Sequence, residues 1–209
     1  MKLTTLIVAA AICCVGCASN QPIREAVSAS PQPTHQHLAQ IPFETLAKGM
    51  PRLEEITTET PAFSFNEGTS YFKAYALPKA DSRSVRLATF IVGAMNMPSA
   101  FVFYPYLTFL DESFAAVLRV DPRLKYENNF WDSERSGWVT HVAVPVKARY
   151  LVVHSPASKR GERLYYKDAS FTPPGTVVPL RQGALYMPGN WWDVYLPAAG
   201  AGRFEIEIQ

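Results

Sequence analysis

Ala62-Phe63-Ser64-Phe65 is followed by Asn66-Glu67-Gly68 and then by Thr69-Ser70-Tyr71-Phe72-Lys73-Ala74-Tyr75-Ala76-Leu77. Aromatic and β-branched residues crowd both runs, and the three residues between them are a turn signal, so the stretch predicts a β-hairpin. Pro78 closes the second strand, because it has no N–H to give a ladder. Outward from this hairpin the same period-two pattern returns. Ser84-Val85-Arg86-Leu87-Ala88-Thr89-Phe90-Ile91 places Val85, Leu87 and Thr89 on one face. Trp138–Val144, Arg149–His154, Trp191–Leu196 and Arg203–Ile208 read likewise, the last with Phe204, Ile206 and Ile208 alternating against Arg203, Glu205 and Glu207.

Between these lies Phe101-Val102-Phe103-Tyr104-Pro105-Tyr106-Leu107-Thr108-Phe109-Leu110, whose central proline implies an edge or a bulge. Asp111-Glu112 is a tight-turn signal, and Ala115–Val120 reads equally as a strand or the end of a helix. Asp121 to Gly137 reads as a long polar loop, and Phe43 to Met50 as a short helix closed by Gly49 and Pro51. Eight or nine short strands with turn punctuation predict an all-β fold. The expected form is an antiparallel β-sandwich of jelly-roll or immunoglobulin-like size.

Composition agrees. The chain has 209 residues, of which 17 are proline and 12% are aromatic, and its net charge of +2 is too small to argue for nucleic acid. All three cysteines precede Ala18, which leaves the body of the chain without disulfides, thiol nucleophiles or Cys-based metal sites. Neither a cofactor nor a metal is expected.

The N-terminus carries an address. Lys2 precedes an apolar run from Leu3 to Val15, of signal-peptide length and too short to span a bilayer. The run ends Cys14-Val15-Gly16-Cys17-Ala18-Ser19, which resembles the bacterial lipobox. The resemblance implies cleavage before Cys17, acylation of Cys17 and anchoring to the membrane by lipid. Ala18 in the next position resembles lipoproteins sorted to the periplasmic face of the outer membrane. A plain secretory signal is the other reading of the run. Residues 1–16 are thus expected to be a signal peptide, residues 17–40 a lipidated flexible tether rich in Ser, Gln and Pro, and residues 41–209 the sandwich. His35 and His37 fall in that tether and read as a solvated pair, with a metal site the alternative.

From Phe63 to Pro78 the chain resembles the maltose-operon periplasmic protein (MalM) family. The likeness continues through Val85–Phe90, through Val102–Asp111 with its proline and Leu-Asp step, and through Arg149–His154. It runs from about Phe43 to Gln209 and is carried by hydrophobic pattern. It implies an envelope protein associated with maltodextrin uptake, with no defined catalytic residues.

The residues themselves offer little catalysis. No Gly-x-Ser-x-Gly turn occurs, and Ser155 beside His154 lies at a strand end. Asp111, Glu112, Asp132, Glu134 and Asp193 are candidate carboxylates for a glycosidase, each with an ordinary reading as a turn or rim residue. His141 and His154 fall in different strands and read as separate strand histidines rather than a metal pair. Lys159, Arg160 and Arg163 make a basic loop that is either solvated or turned toward phosphate or an acidic partner. The late aromatic cluster is more suggestive: Tyr165, Tyr166, Tyr186, Asn190, Trp191, Trp192, Asp193 and Tyr195. Aromatic faces stack on sugar rings while amide and carboxylate groups hold hydroxyls, so Tyr186, Asn190, Trp191, Trp192 and Asp193 are the expected ligand-binding set. Core packing is the competing reading for these rings. Consecutive strand residues face opposite ways, so Trp191 and Trp192 should divide between core and surface. The expected function is a non-catalytic accessory binding module, assisting carbohydrate uptake. The alternatives are a structural or protein-binding envelope lipoprotein and, third, a hydrolase.

Overall fold

The structure, a computed structural model, describes residues 21–79, 83–93, 99–127, 136–169, 176–180, 183–187 and 191–209, with side chains at all of these except 166–169, 176–180, 183–187 and 191–194. Helix α1 (Gln21–Ser28) comes first, then β1 (Glu44–Thr45), β2 (Arg52–Ile56), β3 (Ala62–Phe65), β4 (Gly68–Ala76) and β5 (Ser84–Val92). There follow β6 (Phe101–Phe103), β7 (Tyr106–Leu110), β8 (Ala116–Val120), β9 (Lys125–Glu127), β10 (Gly137–Ala143) and β11 (Tyr150–His154). The last are β12 (Arg163–Ala169), β13 (Thr176–Leu180), β14 (Gly183–Met187), β15 (Trp191–Ala199) and β16 (Gly202–Ile208).

Two sheets pack face to face. The first runs β1-β4-β11-β7-β8 with β3 also on β4. The second runs β12-β15-β6-β5-β10-β9, with β16 on β5 and β2 on β16. β13 and β14 form a separate two-stranded ladder. The fold is the expected all-β sandwich. Its sheets are mixed rather than wholly antiparallel, because β1 joins β4 and β15 joins β6 in parallel.

Alternation builds the core. Leu151 and Val153 of β11 and Leu107 and Phe109 of β7 meet Val85, Leu87, Phe204, Ile206 and Ile208 between the sheets. The intervening residues of the first sheet, Phe72, Ala74 and Val152, face the other way and are covered by Leu38, Ile41 and Phe43. At one margin of the core Glu54, buried on β2, pairs with Lys73 of β4 at 3.0 Å and so ties the two sheets together. Such a pair is favourable only while both charges stay matched.

Pro105 has a different role from the one its strand pattern implied. β6 pairs with β5 in the second sheet, whereas β7 pairs with β11 in the first. Tyr104-Pro105 is therefore the step at which one long apolar run changes sheets, and a residue without an N–H suits that step. Asp111 makes the next turn, accepting hydrogen bonds from the Ser113 amide at 2.8 Å and the Ala115 amide at 3.0 Å. Ala115–Val120 resolves to strand, as β8.

Three expectations are corrected. Phe43–Met50 is not a helix: Glu44 and Thr45 pair with Tyr75 and Ala76, and the Gly49 amide donates to Ile208 at 2.7 Å. A helix this short is marginal alone, and burying Leu46 between the sheets outweighs it. Gly49 still turns the chain, at a φ of +73°. The long loop after Asp121 contains β9, paired with Gly137–Val139. The segment expected to be a free tether is in large part docked. α1 buries Ile23 and Ala26 in the main core, and Thr34 exchanges hydrogen bonds with Ala62. His35 lies edge-on to Phe72 at 6.2 Å. No helix among the described residues is long and apolar enough to cross a membrane.

Candidate functional site

The β12–β15 pair carries the late aromatic residues. Its register sets Leu164 opposite Leu196 and Tyr165 opposite Tyr195. One face packs inward, where Leu164 and Leu196 meet Trp138 and Val102. The other presents Tyr165 and Tyr195, 48% and 56% exposed, with ring centroids 5.4 Å apart and planes tilted by 50°. A directly opposed aromatic pair normally repays its exposure by mutual contact. Here about half of each ring's residue surface still meets solvent, an arrangement suited to stacking on the apolar face of a sugar ring.

The expected ligand set continues along these strands. Trp191, Trp192 and Asp193 lie in β15, in register with Ala169, Asp168 and Lys167, and Tyr186 lies in β14 opposite Val177. Their side chains, like all of Asn190 and Cys17, lie outside the described residues. Trp138 is core: it is buried, its indole N–H donates to the Tyr165 carbonyl at 3.3 Å, and Tyr126 meets its ring edge-on.

His154 and Ser155 end β11 at a closed position. Phe65 stacks on the imidazole at 3.8 Å and 8°, and Tyr106 approaches edge-on at 5.3 Å. Burial, with the nearby Arg119 charge adding to it, pushes the imidazole pKa down to about 3. Neither ring nitrogen nor the Ser155 hydroxyl meets a hydrogen-bond partner among the described residues, so the structure does not join the two into a nucleophile and base. His141 stands exposed on β10 in the other sheet. Among the described residues no three His, Cys, Asp or Glu side chains group to hold a metal. Asp111 is held in its turn, Glu112 pairs with Arg149 at 3.0 Å, and Asp132 and Glu134 lie outside the described residues.

The basic loop is largely committed inward. Lys159 pairs with Glu162 at 3.0 Å and Asp121 at 3.1 Å, and these contacts hold its ammonium above the usual range. Tyr104 donates to the same Asp121 at 2.5 Å, and burial first, then that bond, pushes its phenol up to about 12. The Arg160 guanidinium donates to the Thr69 carbonyl at 2.9 Å and lies against Gly200, where a Cβ would come within 2.9 Å of it. Arg163 alone of the three is exposed. Sequence reading could have found part of this, since Lys159 and Glu162 have ion-pair spacing, but not Asp121, which comes from another element. No family model, curated protein or solved structure matches the chain.

Proposed function

We propose that this protein is a lipid-anchored, non-catalytic binding module of the bacterial cell envelope that holds carbohydrate on the outer face of β12 and β15. The observation that carries the reading is the exposed Tyr165–Tyr195 pair, backed by a packed Leu164–Leu196 layer that keeps the strands still. Rigid strands presenting aromatic faces bind sugars at little ordering cost. The anchor reading is supported by the apolar run before Gly16-Cys17 and a body without other cysteines. Assistance to maltodextrin uptake is the biological role that the strand-pattern likeness suggests.

The test is glycan binding by the purified lipoprotein in detergent, using maltodextrins and peptidoglycan fragments. Saturation should raise the melting temperature, and Tyr165→Ala and Tyr195→Ala should each weaken binding tenfold or more without lowering stability. Wild-type protein indifferent to every glycan, or variants that bind as well as it does, would sink the carbohydrate reading.

A further inference from the structure

The sandwich is open along one side. β8 ends the first sheet, pairing only with β7 among the described residues. In the second sheet β9 covers Gly137–Val139 of β10 and stops, which leaves Thr140–Ala143 with no ladder partner on that side among the described residues. A cleft of about 610 Å³ lies between these two strand edges. Leu118, Val120, Val139 and Val142 give it an apolar lining, and Val117, Val120 and Val142 are only part-covered although they touch the main core. Edge strands are usually blunted by proline, close-set charge or a bulge; β8 has no proline and a single charge, Arg119, and its bulge falls at its start, at Val117, leaving Leu118–Val120 in regular register.

The rim is electrostatically one-sided. Asp121 is engaged by Lys159 and Tyr104, so its charge is already matched. Among the described residues Arg123 and Lys125 are exposed and make no ion pair, and Glu127 is the remaining carboxylate of the lining. Among the described residues that line the cleft there is no phenyl, phenol or indole ring, so they offer aliphatic and charged contacts rather than a stacking surface.

We propose that this cleft takes an extended segment of a partner protein by strand addition, and that the segment alternates apolar residues with carboxylates. A strand laid along β8 forms backbone hydrogen bonds with its free edge. Alternate side chains then fall on opposite faces, one set onto Val117, Val120 and Val142 and the other toward Arg123 and Lys125. β8 is five residues long and bulged at Val117, so the ladder spans at most about 17 Å. The proposal is independent of the tyrosine pair, which lies on a different strand pair.

The experiment is fluorescence anisotropy of labelled nine-residue peptides with the full-length lipoprotein in detergent. The probes are alternating Val-Glu, alternating Val-Lys, a Val-Glu peptide of the same composition in blocks, and the alternating Val-Glu peptide N-methylated at every second residue. Alternating Val-Glu should bind at least tenfold tighter than the other three. Arg123→Glu combined with Lys125→Glu, both exposed and so neutral to folding, should invert the preference toward Val-Lys. Equal binding of block and alternating peptides, or indifference to N-methylation or to charge reversal, overturns the proposal. So does a dimer in sedimentation that the charge-reversed variant dissociates, since a second copy would then be the occupant.

Discussion

The Phe65 ring lies flat on the His154 imidazole, at 3.8 Å and 8°. The two residues are distant in sequence and come together because the Asn66-Glu67 turn sets β3 back along β4 while β11 pairs with β4 from the other side. Tyr106, in register with His154 on β7, closes the remaining flank. A titratable ring is thus enclosed between aromatic neighbours, with the Arg119 charge acting on it and Glu67 paired to that arginine at 4.0 Å.

That enclosure predicts a specific acid sensitivity. In the unfolded chain His154 takes a proton near pH 6.5, whereas in the fold it resists protonation down to about 3. Its folded pKa is therefore depressed, so its contribution to stability is complete above pH 6.5 and is lost as pH falls toward 3. The loss should run at about 1.4 kcal/mol per pH unit. Urea melts at pH 7, 6, 5 and 4 measure it, and His154→Phe should flatten the profile over that window. An unchanged slope in the variant would show that carboxylates, not this histidine, govern acid unfolding.

Gly137 is a point of close backbone approach in the second sheet. A Cβ there would lie 2.2 Å from the Thr89 carbonyl oxygen, with the Phe90 ring 3.2 Å away on the same side. Neither β10 nor β5 can yield, since β5 is held on its other side by β16. Gly137→Ala should cost about 1–3 kcal/mol or more, the usual penalty for overpacking. A midpoint in urea within error of wild type would mean that β10 can slide away from β5.

Much of this architecture was legible because burial on one face forces alternation. Phe63 to Leu77, Val85 to Thr89 and Phe204 to Ile208 announce their strands without help from the rest of the chain. The failures have physical causes. Arg52–Ile56 reads as polar because its inward residue Glu54 is a carboxylate, neutralised both by Arg52 two residues away and by Lys73 from the opposite sheet, and no local window can show the second partner. Phe43–Met50 carries a helix stop at Gly49 but is held extended by partners at Tyr75 and Ile208. Ile23 and Ala26 are too few to advertise a docked helix in a polar segment. At the candidate site, the aromatic richness of the last strands was visible, but the exposure of Tyr165 and Tyr195 depends on their mutual register.

Tyr195 and Leu196 are adjacent on β15 and should respond oppositely. Tyr195 is more than half exposed, so Tyr195→Ala should leave stability within about 0.5 kcal/mol while weakening glycan binding. Leu196 is 3% exposed against Trp138, and Leu196→Ala should cost about 2–5 kcal/mol through the cavity it opens. Thermal melts and glycan titrations of the two variants separate the roles. If Tyr195→Ala destabilised as much as Leu196→Ala, the tyrosine pair would be structural.

The docking of α1 changes what a lipid on Cys17 implies. A free tether up to Gln40 would let the domain roam, but α1 starts at Gln21 and is fixed by Ile23 and Ala26 in the core. Four residue steps from Cys17 to Gln21 reach at most about 14 Å. The start of α1 is then held close to the headgroups, and the sandwich cannot turn that side away. A fluorophore on Gln21→Cys, an exposed position, should be strongly quenched by headgroup-labelled lipid in vesicles. Inserting twenty Gly/Ser residues after Ser19, which adds about 25 Å of average reach, should remove more than half of that quenching. Cys17→Ser should abolish vesicle association altogether. Weak quenching at native spacing would place the attachment elsewhere or undock α1, and membrane association that survives Cys17→Ser would end the lipoprotein reading.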